Sequence, residues 1–143
     1  MATFLLKTEP STYSYADLVR EKHAVWDGVA NPAALIAIRS ARKGDDAFVY
    51  HTGDERAIVG LARITSNPYE DPNHPGLTKE NLPKAAVFDL KPLKAAVAPL
   101  TLETMKSDPR FKEFDLLRLP RLSVMPVPPA IDAIIRKMIG VSA

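Results

Sequence analysis

The sequence contains no cysteine and only six glycines, and both shortages exclude classes of site. Without cysteine, the 143-residue chain cannot form a disulfide, a thiolate zinc centre, an iron–sulfur cluster or a cysteine nucleophile. Its glycines do not form the GxGxxG or GxxxxGK[ST] patterns by which loops bind phosphates. The histidines, His23, His51 and His74, lack the HxxxH spacing of a metal site. We therefore expect no metal ion and no cofactor.

Long apolar runs are missing as well. The longest runs, residues 33–38 and 95–100, are far shorter than the ~20 residues that a helix needs to span a bilayer. Residues 1–7 have neither the basic segment nor the long apolar segment of a signal peptide. We therefore expect a cytoplasmic protein with no membrane partner.

The sequence has little excess charge of either sign. Nineteen Lys and Arg residues against seventeen Asp and Glu residues leave a net charge of +2. Residues 1–72 hold eight basic and ten acidic side chains, whereas residues 73–143 hold eleven basic and seven acidic ones. The basic second half is compatible with phosphate contacts, but a solvated surface of mixed charge explains it equally well. Charge alone does not identify a partner.

Proline is abundant, and it marks the ends of short elements. Thirteen prolines are nearly twice the usual share of about 5%, and apart from the pair Pro128-Pro129 no two are adjacent. Residues 67–83 contain four of them and are predicted to form a long surface loop. Apolar and β-branched runs predict five strands, over residues 3–7, 47–52, 57–64, 85–91 and 122–127.

Capping residues predict where four helices begin. The predicted starts are Ser14 with Asp17 as a capping box, Asn31 before Pro32, Thr101, and Pro128-Pro129. Gly140 is expected to end the last helix. Short strands mixed with short helices, without βαβ alternation, predict an α+β fold with a small barrel-like sheet. The length of the chain predicts a single domain over residues 1–143.

Trp26, the single tryptophan, is the most informative candidate for function. It lies between two predicted helices and is followed directly by Asp27 and Gly28. The indole ring can be a plug under the loop, or it can be a platform on which a planar base stacks. Glycine next to it lets a ligand approach the backbone closely. The residues alone leave both interpretations open.

Enzymatic activity is the alternative that polar residues suggest. His51 followed by Asp54 or Glu55 resembles an acid–base pair, although a turn after a strand commonly carries such residues. A small hydrolase or transferase would use Glu9, His51 or Asp27, and a raised carboxylate pKa beside His51 in one cleft would support it. A protein-interaction domain with a filled pocket is a third possibility.

Seven short motifs, each weak alone, together resemble the EVE domain. The motifs are Lys7-Thr8-Glu9-Pro10, Tyr13-Ser14, Trp26-Asp27-Gly28-Val29 with Asn31, Lys43-Gly44-Asp45, Tyr50-His51-Thr52, Ile58-Val59-Gly60, and Arg121-Leu122-Ser123-Val124 with Pro126-Val127. They follow the order and spacing of that family over residues 4–139. The EVE domain belongs to the PUA-like superfamily and is similar to the YTH domain.

The resemblance implies a PUA-like fold, a mixed and partly closed β-barrel of about five to six strands with short helices around it. It also implies a module without catalytic activity that binds a modified nucleobase flipped into an aromatic pocket. The base would be a modified cytosine of DNA, with RNA or a free small molecule as alternatives. We expect a monomer.

The resemblance also implies the residues of the pocket. Trp26 would stack on the base, and the residues after it would line one wall. Residues 50–52 would supply polar edges, and residues 123–126 would close the far side. The complete expected set is Lys7, Thr8, Glu9, Pro10, Trp26, Asp27, Gly28, Val29, Asn31, Tyr50, His51, Thr52, Ser123, Met125 and Pro126.

The sequence departs from the family pattern near that pocket. Ala30 stands where the family commonly has arginine, Pro32 and Ala33 replace Tyr and Gln, and Met125 replaces Gln. An arginine offers a charged, planar set of donors to a phosphate or a base edge, and alanine offers none. We therefore expect weaker binding of nucleic acid than in relatives that keep the arginine.

Overall fold

The computed structural model describes residues 1–141, which form seven strands, five helices and one 3₁₀ turn. The last two residues of the predicted domain lie outside the described residues. The strands are β1 (Thr3–Thr8), β2 (Ala24–Trp26), β3 (Asp46–His51), β4 (Ala57–Ile64), β5 (Tyr69–Glu70), β6 (Ala86–Thr101) and β7 (Val124–Pro126). The helices are α1 (Tyr15–Glu21), α2 (Pro32–Ser40), α3 (Leu102–Lys106), α4 (Asp115–Arg118) and α5 (Pro129–Ile139), with the 3₁₀ turn at Pro109–Phe111.

The strands form one curled sheet in the order β2-β6-β4-β3-β1-β7, and β5 pairs with β6 beside this path. β1 and β3 are parallel, and the other pairs are antiparallel. Register shifts interrupt the pairing between Val49 and Tyr50 on β3 and between Ile58 and Gly60 on β4. Bulges of this kind bend a strand and increase its twist. The sheet therefore curls into a half-barrel whose edges are β2 and β7.

The core fills the inside of this sheet. β3 is buried along its whole length, and β1 is buried over its first four residues. These continuous apolar runs are typical of strands that are covered on both faces. The fully buried aromatic side chains are Phe4, Phe48, Phe88, Phe111 and Phe114. No helix among residues 1–141 has the length and apolar character needed to cross a membrane.

The predicted helix starts are confirmed. The Ser14 side chain accepts the N–H of Asp17, and the Asp17 carboxylate accepts the N–H of Ser14, which completes the capping box. Asn31 Oδ1 accepts the N–H groups of Ala33 and Ala34, the second and third residues of α2, at 2.9 and 3.1 Å. Gly140 ends α5 with a φ of 76°, in the left-handed region where glycine has no steric penalty.

The structure differs from the sequence prediction at three strands. The sequence predicts no strand at Ala24–Trp26, which is β2, and the predicted loop over 67–83 contains the two-residue β5. β6 was expected to end at residue 91 but continues to Thr101 through two prolines. Pro92 lies at a register shift between Leu61 and Ala62 of the partner strand, where an N–H is not needed for a regular ladder. The predicted α+β class is confirmed.

Tyr15, the first residue of α1, holds this helix against the sheet. Its hydroxyl donates to the carbonyl of Leu61 at 2.7 Å, and its backbone N–H donates to Nε2 of His51 at 3.0 Å. The ring lies against Gly60, where a Cβ would fall 2.5 Å from the nearest ring carbons. Only glycine at position 60 leaves room for the ring.

We expect Gly60→Ala to lower the free energy of unfolding by about 1–3 kcal/mol, because the new methyl group overlaps the Tyr15 ring. Urea unfolding should show a lower midpoint with an unchanged m value. The penalty should shrink in a Tyr15→Ala background, where the ring is absent. An equal penalty in both backgrounds would show that the ring is not its cause.

Candidate functional site

A cleft of about 760 Å³ lies between the two edges of the half-barrel. One wall consists of β2 and the loop 27–30, and the other consists of the end of β1 with Ser123, just before β7. Tyr13, two residues before α1, and Glu21, the last residue of α1, also line it. Its size is within the range of roughly 300–1,000 Å³ that is usual for small-molecule sites.

Trp26 lines this cleft from β2. It pairs with Phe88 of β6 and packs on the core, yet it is only half-buried. The side chain therefore belongs to the wall and keeps part of its surface in the cleft. An anchored indole of this kind is suited to stacking on a planar group, since its orientation is already fixed.

Lys7 is the cation of the opposite wall. Its Nζ donates to the carbonyl of Pro120 at 2.9 Å and lies 5.9 Å from the centre of the Tyr50 ring. Burial lowers the pKa of Lys7. An ammonium group has three donors, so one contact with a carbonyl leaves two for a ligand. The backbone N–H of Lys7 also donates to the carbonyl of Ser123 at 2.9 Å, which joins the two parts of this wall.

The turn after β1 is held by its own side chains. Thr8 Oγ1 donates to the carbonyl of Tyr13 at 2.7 Å. The Glu9 carboxylate accepts from the N–H and hydroxyl of Ser11, at 3.3 and 3.1 Å, and from the hydroxyl of Thr52 at 3.2 Å. These bonds, the backbone N–H of Ser11 first, lower the pKa of Glu9. Glu9 is therefore held as a carboxylate, the opposite of what a general acid needs.

Acidic side chains dominate the rest of the cleft. Glu21 accepts from the hydroxyl of Tyr13 at 3.0 Å, and burial together with this bond raises the pKa of Tyr13 to about 12. Asp27 is exposed on the rim, and its carboxylate has no hydrogen-bond partner within residues 1–141. With Glu9, three carboxylates line the cleft against the one ammonium of Lys7. Such a site favours groups that donate hydrogen bonds.

His51 has a structural position away from the cleft. It is buried, its Nε2 accepts from Tyr15, and its Nδ1 lies 2.7 Å from Glu55 Oε1. A proton on Nδ1 serves both contacts, so neither ring nitrogen is left for a substrate. The structure thus forms the pair of His51 with Glu55 that the sequence suggests, but neither residue lines the cleft that holds Glu9 and Asp27.

The cleft brings together eight of the fifteen residues expected from the resemblance. They are Lys7, Thr8, Glu9, Trp26, Asp27, Gly28, Val29 and Ser123. The other seven lie outside it: Pro10, Asn31, Tyr50, His51, Thr52, Met125 and Pro126.

The reasons for these displacements are local. Tyr50 is buried beneath Lys7, and Met125 is fully buried where β7 pairs with β1. The Thr52 hydroxyl donates a hydrogen bond to the Glu9 carboxylate, and the Asn31 side chain caps α2. Pro126 is exposed at the opposite end of β7 from Ser123.

Seven further residues line the cleft that the expected set does not include. They are Thr12, Tyr13, Glu21, His23, Ala24, Val25 and Ala30. Three of these belong to β2 or directly precede it, where the sequence predicts no strand. Because side chains alternate along a strand, a strand at 24–26 puts Ala24 on the same face as Trp26. No group of three His, Asp or Glu side chains within the described part of the chain is placed to hold a metal ion.

Comparison with known proteins agrees with this fold. The family model of the EVE domain matches residues 2–138. The chain belongs to the EVE-domain family. Thymocyte nuclear protein 1 of mouse is 28% identical over 87% of this chain, which covers 67% of the mouse protein. The human counterpart is matched over 55% of its length.

Solved structures place the EVE domain of this chain in the PUA-like fold. A Rhodopseudomonas palustris protein solved by NMR is 33% identical, with a TM-score of 0.88 over 100% of this chain and 96% of that chain. The crystal structure of human thymocyte nuclear protein 1 in complex with 5-methylcytosine-containing DNA is 24% identical, with a TM-score of 0.86 over 100% of both chains. At 24% identity, the similarity to the human protein shows a shared fold. The predicted PUA-like architecture is confirmed.

We expect His51→Ala to destabilise the EVE domain by about 1–3 kcal/mol, because it leaves the Tyr15 N–H buried without an acceptor. Thermal unfolding measures the loss, and His74→Ala, at an exposed histidine, is the control that should change little. An unchanged unfolding temperature for His51→Ala would contradict the structural role.

Proposed function

We propose that this EVE domain is a non-enzymatic module that binds a modified cytosine of DNA in the cleft beside Trp26. The observation that carries the proposal is a half-buried tryptophan on one wall of a 760 Å³ cleft. Support comes from the family, since human thymocyte nuclear protein 1 has been solved with 5-methylcytosine-containing DNA. An indole can stack on any base, and a base reaches such a cleft only when it is flipped out of the helix.

The charge of the cleft supports a base that carries an amino group. Cytosine offers its N4 amino group as a donor, and aspartate is a suitable acceptor for it. Asp27 is exposed on the rim beside Trp26 with its carboxylate available. Thymine would instead turn a carbonyl oxygen towards Asp27, where two acceptors repel each other. Val29 and Ala30 supply apolar surface of the kind that contacts a methyl group on a pyrimidine.

The arrangement does not favour the enzyme that the sequence left open. That enzyme needed a carboxylate with a raised pKa beside His51, but the pKa of Glu9 is lowered and His51 is engaged on both nitrogens. DNA as opposed to RNA, the monomeric state, the cytoplasmic location and the single domain over 1–143 stay predictions.

We expect Trp26→Ala to weaken binding of an oligonucleotide with one 5-methylcytosine by about 1–3 kcal/mol, the contribution of one base–aromatic stack. The salt dependence of binding should not change, because the indole carries no charge. Fluorescence anisotropy at several salt concentrations measures both quantities.

Trp26→Phe is the matched control, since it keeps an aromatic face and should retain much of the affinity. Thermal unfolding must show that both variants are folded at the temperature of the titration. Equal affinity of Trp26→Ala and the parent protein for the modified oligonucleotide would remove the stacking role.

Ala30 gives a test in the opposite direction, because it is exposed and lines the cleft. We expect Ala30→Arg to strengthen binding by roughly 1.5–3 kcal/mol if the new guanidinium reaches a phosphate or a base edge. Ala30→Gln controls for side-chain length without charge. Equal affinity of the parent and the arginine variant at low and high salt would show that position 30 does not contact the ligand.

A further inference from the structure

A second concave surface continues the cleft on one side. It is a groove of about 350 Å³ between the start of α2 and the segment 118–122. On one wall Ala30 lines the cleft and its neighbour Asn31 lines the groove. On the other wall Ser123 lines the cleft and its neighbour Leu122 lines the groove. Neighbouring residues on both walls thus lead from one surface to the other.

The groove has the charge that the cleft lacks. Arg118 and Arg121 line it, and both are exposed. The guanidinium of Arg121 has no hydrogen bond or ion pair within residues 1–141. Arg118 makes one long ion pair, with Asp115 at 3.6 Å, and its side chain is 54% exposed. Lys7 Nζ, bonded to the carbonyl of Pro120, stands where the groove meets the cleft. Three cationic side chains, Lys7, Arg118 and Arg121, therefore lie along one side of the cleft.

We propose that this groove binds the phosphate backbone of the strand whose base occupies the cleft, with Arg118 and Arg121 as the phosphate contacts. The proposal rests on the proposed function. A flipped nucleotide stays covalently attached to the phosphates on either side of it, so a base in the cleft brings the backbone over its rim. The planar fork of arginine matches the oxygens of a phosphate, and such contacts set the position of the strand.

The other charged residues of the cleft cannot serve the backbone equally well. Glu21 and Asp27 line the cleft but not the groove, and a phosphate beside them would meet like charge. His23, which also lines the cleft, lies 3.4 Å from Asp89, a further carboxylate. The distribution of charge therefore favours a DNA strand that runs along the groove side of the cleft.

The test compares Arg118→Gln, Arg121→Gln and the double variant with Arg110→Gln. Arg110 is an exposed arginine that pairs with Asp108 and lines neither surface, so its variant loses the same charge elsewhere. The first probe is a short DNA duplex with one 5-methylcytosine, titrated at several salt concentrations. The second probe is the free nucleoside 5-methyl-2′-deoxycytidine, which has the base but no phosphate.

We expect each groove variant to bind the duplex about five- to tenfold more weakly at low salt and to lower the salt slope by about 0.9 per lost phosphate contact. The double variant should lose about twice the slope of a single variant. Binding of the nucleoside should be unchanged in all three, and Arg110→Gln should resemble the parent protein with both probes.

Two results would overturn the inference. If the parent protein binds the duplex and the groove variants keep its affinity and slope, the proposed function stands and the phosphate contacts are elsewhere. If the groove variants weaken the nucleoside and the duplex equally, the arginines act on the base site itself. A parent protein that binds neither probe overturns the proposed function and the inference together.

Discussion

A curled sheet that does not close leaves two edge strands, and the rest of this structure follows from how those edges are treated. Unpaired backbone at a sheet edge invites pairing with another chain unless it is short or covered. Here β2 and β7 are the edges, and each is only three residues long. α1 joins β1 to β2, and α2 joins β2 to β3. What remains open between the edges is the cleft.

The polar side chains that suggest catalysis in the sequence instead hold α1 against the sheet. His51, buried on β3, accepts the N–H of Tyr15 and contacts Glu55, so it ties the start of α1 to the sheet. The Tyr15 ring in turn fits only because Gly60 has no side chain. A buried polar group that lacks a partner destabilises the folded state by more than one hydrogen bond stabilises it. Every polar group of the Tyr15–His51–Glu55 network therefore has a partner. His51 thus positions α1 and does not line the cleft.

Local signals in the sequence were reliable, and signals that depend on distant partners were not. Ser14, Asn31 and Gly140 act on backbone groups within a few residues, so the helix ends could be predicted from them. β2 exists because β6 pairs with it, some sixty residues further along the chain, and a run of three residues carries no periodic signal of its own.

The same distinction explains the site. Trp26 and its three successors are adjacent in sequence and stay together in the cleft. Tyr50 and Met125 are carried into the core by pairing partners that no motif reveals. Tyr13, Glu21 and His23 enter the cleft because α1 crosses between the sheet edges, which is a property of the topology.

In the proposed binding mode, opposite charges in neighbouring surfaces limit how tightly a module of this size can hold DNA. Flipping a base costs a few kcal/mol, while one stack on Trp26 returns roughly 1–3 kcal/mol, so stacking alone leaves little net affinity. The three carboxylates of the cleft cannot add attraction to a polyanion, and their contribution is restricted to the amino group of the base. Net binding must then come from cations at the side, where Lys7, Arg118 and Arg121 lie. The proposal therefore assigns selection of the base and attraction of the strand to separate, adjoining surfaces, and a change in one should leave the other largely intact.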